Sequence, residues 1–325
     1  MGRRTWLAGV SLAAAAVWGL GGCATAVDPW RDEPGSPRVV VTIAPLASLV
    51  RGVAGDRPAV KCLCMTTGPH HYQLDTRDAR VLEKADLFLA VGLRLDQFAD
   101  GMRAQANRPD LPFIKLGALL PTSSLLELKH DHDHAHGGDQ PHVHGKWDPH
   151  VWLGLPEMVA MAGFVRDELS KIDPDHAAEY RKNTEAYTAR LKALHEEGQK
   201  ALSAKKSRRL VSFHEALGYF ARSFGLEIAD VIEPGPGDEP SPKHVARIVE
   251  LCRDAKNPIA AITVEPQYPK TTSAAIISRE LGGKVPLIEI DPLETADVEE
   301  LRQEGAGWYE ARVRKNLQAL ASQLP

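Results

Sequence analysis

From Asp175 to about Ala204, apolar or small residues recur at Tyr180, Thr184, Tyr187, Leu191 and Leu194, in steps of four, three, four and three. That period predicts one long amphipathic helix. About 30 residues rising about 1.5 Å each would span about 45 Å, enough to run along two lobes rather than sit inside one. On both sides of it, short β-rich runs alternate with helical stretches. Before the helix, residues 39–43, 59–65, 86–91 and 112–116 read as strands, residues 45–53 and 76–84 read as helices, and a helical pattern returns after Pro156. After it, strands are expected at 209–213, 259–264 and 285–290, with helices near 215–224, 241–255, 271–281 and 307–324. Pro242 near the start of one helix and Gly282 just past the end of another fit the asymmetry of helix caps. The class is therefore α/β, as two α/β lobes at residues 38–174 and 205–325 joined by a linking helix at 175–204. A chain of 325 residues also exceeds the usual size of one core. No sequence repeat at a fixed period argues for a solenoid.

The first 22 residues are read as a targeting segment, not as fold. Arg3 and Arg4 precede an apolar run from Trp6 to Leu20, which is shorter than the roughly 20 residues a membrane-spanning helix needs. Leu20-Gly21-Gly22-Cys23 resembles the bacterial lipobox, in which the cysteine is acylated and the peptide is cut just before it. Residues 23–37, rich in proline and charge, then suit a tether between lipid and folded protein. The expected location is extracytoplasmic and membrane-anchored, in a periplasm or on a cell surface. With Cys23 acylated, Cys62, Cys64 and Cys252 remain, so at least one thiol is unpaired within the chain. Cys62 and Cys64, two apart in a strand-like run, suit a buried structural role better than a disulfide or a zinc knuckle. A formal charge of -4 with 25% charged residues gives no strong field, and nucleic acid is not an expected partner.

Histidine is the compositional outlier: there are thirteen, seven of them between His130 and His150. Residues 117–146 break the apolar period, and a loop of this length without structure of its own is usually functional or disordered. Its core, residues 126–146, carries His130, His132, His134, His136, His142 and His144 among Asp131, Asp133 and Asp139. Neutral imidazoles on a flexible run chelate zinc, copper or nickel weakly without a preformed cage. Other candidates stand where open α/β sheets place ligands, beyond the carboxyl ends of strands. His70 follows the second strand after a short turn, His214 directly follows Phe213, and Asp291 directly follows Ile290. His150 lies where the histidine-rich loop gives way to ordered chain. Two of the four come from each half, which puts the expected site in the cleft between lobes. Three imidazoles and one carboxylate are a full tetrahedral shell for zinc.

Pro69-His70-His71-Tyr72 with Asp78, Asp148-Pro149-His150-Val151-Trp152-Leu153, Phe213-His214-Glu215-Ala216 with Tyr219-Phe220, Glu265-Pro266-Gln267 and Asp291-Pro292-Leu293 resemble, in order, the motifs of zinc and manganese solute-binding proteins of bacterial ABC importers. The resemblance runs from about residue 38 to the C-terminus. It implies two lobes joined by one rigid long helix, with His70, His150, His214 and Asp291 as ligands of a metal between them. It also implies an importer permease and its ATPase as partners, besides the membrane reached through the lipid, and a chain acting as a monomer. His71 competes with His70 for the first ligand position. Two departures affect local turns: Thr76-Arg77-Asp78 replaces a Pro-Ser-Asp stretch, and Asp291-Pro292-Leu293-Glu294 has glutamate where glycine is common.

Within that resemblance a histidine at the third position marks zinc members and a carboxylate marks manganese members, so His214 implies Zn²⁺. Manganese also prefers oxygen-rich sites, whereas imidazole suits zinc. A zinc hydrolase is the rival reading. His214-Glu215 begins like a metalloprotease helix, but Gly218 stands where its second histidine would be. A fourth protein ligand would also leave no place for an activated water. No enzymatic activity is expected, and Glu215 reads as a carboxylate at a helix N-terminus. A surface adhesin or zinc buffer would share the same anchoring.

Overall fold

The computed structural model describes residues 28–128, 145–233, 239–267 and 273–325. Cys23 and the loop histidines His130, His132, His134, His136, His142 and His144 lie outside the described residues. The N-terminal half runs β1 (Arg38–Ile43), α1 (Ala44–Ala54), β2 (Ala59–Cys64), α2 (Thr76–Glu83), β3 (Leu87–Ala90), α3 (Phe98–Ala106), β4 (Phe113–Lys115) and α4 (Leu155–Ile172). After α5 (Ala177–Ser203) come β5 (Arg209–His214), α6 (Gly218–Phe224), β6 (Glu227–Glu233), α7 (Pro242–Arg253), β7 (Ala261–Val264), α8 (Ser273–Glu280), β8 (Leu287–Glu289), α9 (Val298–Glu304) and α10 (Gly307–Gln323).

The strands form two parallel sheets, ordered β2-β1-β3-β4 and β6-β5-β7-β8. Both lobes thus use one topology, second strand beside first, then third and fourth, although the sequences show no repeat. Parallel sheets are covered on both faces, which is why Val39–Ile43 and Leu87–Ala90 are apolar throughout, Thr42 excepted, and buried. In each sheet the order reverses beside the first strand, so the crevice for a ligand opens at the carboxyl ends of β1 and β3 and of β5 and β7.

The anticipated linking helix is α5, whose Tyr180, Thr184, Tyr187, Leu191 and Leu194 are all buried, as are Gly198 and Leu202. Its 27 residues extend about 40 Å. It packs on α1 and α4 of the first lobe and on α6 and α10 of the second. One cluster of buried side chains runs without a break from Val39 and Leu49 through Tyr187 to Leu210 and Trp308.

The structure corrects several expectations. Residues 28–37 are packed on the first lobe instead of forming a free tether: Trp30 is 2% exposed and its Nε1 donates to Val81 O at 3.0 Å. Glu33 pairs with Arg302 at 2.8 Å, so this segment also touches α9. Three elements were not anticipated: α3, the edge strand β6, and α9. The stretch from 117 is not without structure, since residues 116–119 and 122–124 form short 3₁₀ turns. The histidine-rich loop is closed at its base by an antiparallel bridge between Glu127 and Trp147. Cys62, Cys64 and Cys252 are free thiols. Burial pushes the thiols of Cys62 and Cys64 far up, which fits the structural role expected for them.

Candidate metal centre

Each side chain of the site is delivered by the end of an element. His214 closes β5, and Glu265 directly follows the neighbouring strand β7, so parallel pairing brings the two together. His214 Nδ1 is hydrogen-bonded to Glu265 Oε1, whose other oxygen accepts from Gln267 Nε2 at 2.8 Å. His150 stands between the loop and the 3₁₀ turn Val151–Leu153. Its Nδ1 lies 2.8 Å from Asp148 Oδ1, which also accepts the His150 backbone N–H at 2.9 Å. Tyr219 of α6 donates to Asp148 O at 2.9 Å and so ties this segment to the second lobe. His70 comes from the turn after β2 and is the most exposed of the three imidazoles, at 18%.

These arrangements leave three Nε2 atoms facing one another across the cleft. The carboxylate that meets them is Glu294. Its Oε1 lies 3.3 Å from His214 Nε2, 3.4 Å from His70 Nε2 and 3.6 Å from His150 Nε2, and the two Nε2 atoms of His70 and His150 are 3.2 Å apart. Gly68 lets the chain pass close to Glu294, since a Cβ there would stand 3.0 Å from Oε2. All four donor atoms lie within 4.8 Å of one another. A tetrahedral zinc with bonds of about 2.0–2.1 Å has ligand–ligand edges of about 3.3–3.4 Å, and the four separations above bracket that value. His214 Nε2 and Glu294 Oε1 are both buried and neither makes a hydrogen bond, close as they are. Buried polar atoms without a hydrogen-bond partner call for another partner, and a cation at the point where these converge would supply it. The residues present therefore fit a tetrahedral metal ion.

Asp291 is not in this group, contrary to the sequence-based expectation. Its Oδ1 instead accepts the backbone N–H of Leu293 at 2.8 Å. The signal that could have found Glu294 was in the motif itself, as the acidic residue standing where glycine is common. His70 rather than His71 joins the cluster, and His71 is exposed. Glu215 lies in the turn before α6, not in its first turn.

The electrostatics follow from burial against carboxylates. Burial alone would keep the His214 imidazole neutral, but Glu265 and Glu294 outweigh it and hold the ring protonated well above the usual range. His150 behaves likewise, with Asp148 and Glu294 opposing burial. At His70 burial wins over Glu294 and the imidazole is pushed down. Burial would raise the Glu294 carboxyl, but the three imidazoles, His214 foremost, hold it well below the usual carboxylate range.

Among the described residues, no helix is long and apolar enough to cross a membrane. Residues 39–323 match the family model described as zinc-uptake complex component A, periplasmic. The zinc-binding lipoprotein AdcA of Streptococcus pneumoniae is 30% identical over 293 residues, covering 89% of this chain and 56% of that protein. The high-affinity zinc uptake system protein ZnuA of Paracoccus denitrificans is 32% identical over 328 residues, covering 91% of this chain and 94% of that one. The chain thus spans about half the length of the AdcA relatives and nearly all of this ZnuA. The solved structure of the solute-binding protein FpvC from Pseudomonas aeruginosa in complex with Mn²⁺ superposes with a TM-score of 0.74 at 28% identity, over 88% of this chain and 98% of FpvC. Matched along nearly its whole folded length, with two parallel α/β lobes and three histidines and a glutamate between them, this chain belongs to the zinc-uptake complex component A family.

Proposed function

We propose that the chain captures Zn²⁺ outside the cytoplasmic membrane, holding it with His70, His150, His214 and Glu294, and delivers it to the permease of an ABC importer. A lipid on Cys23 keeps it at the membrane. The observation that carries this reading is the convergence of four donor atoms within 4.8 Å of one another, four of whose six separations, 3.2 to 3.6 Å, are close to the edge of a zinc tetrahedron. Three neutral imidazoles and one carboxylate give the filled site a net charge of about +1, less costly to enclose than a bare dication. Asp148 and Glu265 behind two of the rings fix their Nε2 atoms toward the metal and raise their basicity. Four protein ligands leave no open position for an activated water, which argues for transport cargo and against hydrolysis. Nitrogen-rich ligation favours zinc over manganese. The names of AdcA and ZnuA support the same cargo.

The test is metal analysis of protein purified without a nickel column, followed by competitive titration of wild type and His214→Glu with zinc and manganese after chelation. One tight zinc per wild-type chain is expected, and a shift of preference toward manganese in the variant. An unchanged zinc-to-manganese ratio in the variant would remove His214 from the site and with it the choice of zinc.

A further inference from the structure

The turn that delivers Glu294 gives a task to the carboxylate left out of the cluster. The chain is still in sheet register at Ile290, whose N–H donates to Val264 O at 2.8 Å. Three residues later Leu293, fully buried, adopts φ +61. A left-handed backbone is unfavourable for a non-glycine residue and persists only where its surroundings over-determine it. Three groups do so here. Asp291 Oδ1 accepts the Leu293 N–H at 2.8 Å. Asn316 of α10, 2% exposed, brackets Asp291 itself, accepting its N–H at 3.0 Å and donating to its carbonyl at 2.7 Å. Trp152 Nε1 donates to Pro292 O at 2.8 Å, which ties the turn to the segment carrying His150. Glu294 emerges from this turn with Oε1 at 3.3 to 3.6 Å from all three imidazoles.

We infer that Asp291 is a positioning residue for the zinc site: through the Leu293 N–H it holds the left-handed turn that aims Glu294 at His70, His150 and His214, while Asn316 holds Asp291. The inference rests on the reading of those four residues as zinc ligands. It makes a chemical distinction that a ligand role does not share. A positioning oxygen needs only to accept a hydrogen bond, so an amide serves, whereas a metal-ligating carboxylate also needs its charge.

The experiment titrates Co²⁺ into metal-free wild type, Asp291→Asn, Asp291→Ala and Glu294→Gln, reading the visible d–d absorption, and measures zinc affinity by chelator competition. Wild type gives the intense spectrum of a tetrahedral site. Asp291→Asn keeps that spectrum and a zinc affinity within about tenfold of wild type, while Asp291→Ala loses about 10- to 100-fold, the usual cost of a lost supporting contact. In Asp291→Ala and Glu294→Gln the absorption weakens to that of a five- or six-coordinate ion as water replaces the glutamate. If Asp291→Asn is as damaging as Glu294→Gln, Asp291 is itself a ligand and the inference is overturned. If Asp291→Ala leaves spectrum and affinity unchanged, the turn does not depend on it and the inference is equally lost. A wild type without a tetrahedral spectrum would overturn the zinc site before any variant is compared.

Discussion

The same substitution, glycine to alanine, is expected to act with opposite sign in two helices of the first lobe. Gly52 in α1 is buried against Tyr187 of α5, and a Cβ there would stand 2.7 Å from the ring Cγ and 2.8 Å from both Cδ atoms. Those contacts are about 1 Å inside the usual carbon–carbon separation, and Tyr187 is fully buried, so the ring has nowhere to go. Overpacking of this kind costs about 1–3 kcal/mol, against about 0.8–1.0 kcal/mol gained by replacing glycine within a helix. Gly52→Ala should therefore destabilise by about 1 kcal/mol net and by up to about 2, lowering the melting temperature by a few degrees. Gly163 in α4 has nothing within 4 Å of its Cβ position, so Gly163→Ala should stabilise by about 0.8–1.0 kcal/mol. Urea unfolding of both metal-free variants reads the difference, about 2 kcal/mol. A Gly52→Ala protein as stable as Gly163→Ala would refute the claim that α5 is wedged tightly against α1.

Removing residues 130–144 should leave one tight zinc per chain and abolish weaker equivalents, because His70, His150, His214 and Glu294 come together from outside the deleted segment; loss of the tight site would place a ligand in the loop. Glu265 and Glu294 outweigh burial in raising the His214 imidazole, so zinc binding at Nε2 should release a proton. Apparent zinc affinity should thus rise with pH through neutrality, and binding heats should differ between two buffers of unlike ionisation enthalpy; equal heats would mean no proton is released. Cys23→Ser should free the protein from the membrane fraction with zinc binding intact, and retention after a salt wash would exclude the lipid as anchor.

The sequence was most readable where one period governs a long stretch. The stripe of α5 and the apolar strands β1 and β3 carry their burial in their spacing. It was least readable where charge masks burial. Trp30 sits among Asp28, Arg31, Asp32 and Glu33, a composition that reads as solvated tether, yet its ring is covered by the first lobe. β6 escaped notice for a related reason: it holds Glu227, Asp230 and Glu233, which dilute the apolar signal although Asp230 and Glu233 are buried. At the site, strand ends pointed to His70 and His214, and the junction between the histidine-rich loop and ordered chain pointed to His150. The carboxylate of the group was expected three residues too early because nothing in Asp-Pro-Leu-Glu announces a leucine with positive φ. Two of the three groups around that turn, Asn316 and Trp152, are distant in sequence.

The unbroken core that passes from the first lobe through α5 into the second has a thermodynamic consequence. A chain with two sheets and two lobes would ordinarily be expected to melt in two steps, each lobe at its own temperature. Here one buried cluster containing Tyr187, Leu191 and Leu194 extends into both lobes, beside a smaller cluster belonging to each lobe alone, so loss of packing in one lobe strips contacts from the other. Heat should unfold the protein as one cooperative unit despite its bipartite outline. Zinc held between the lobes would then stabilise the entire chain by RT ln(1 + c/Kd), with c the free zinc concentration, so the shift of a single melting curve with free zinc becomes a direct gauge of affinity.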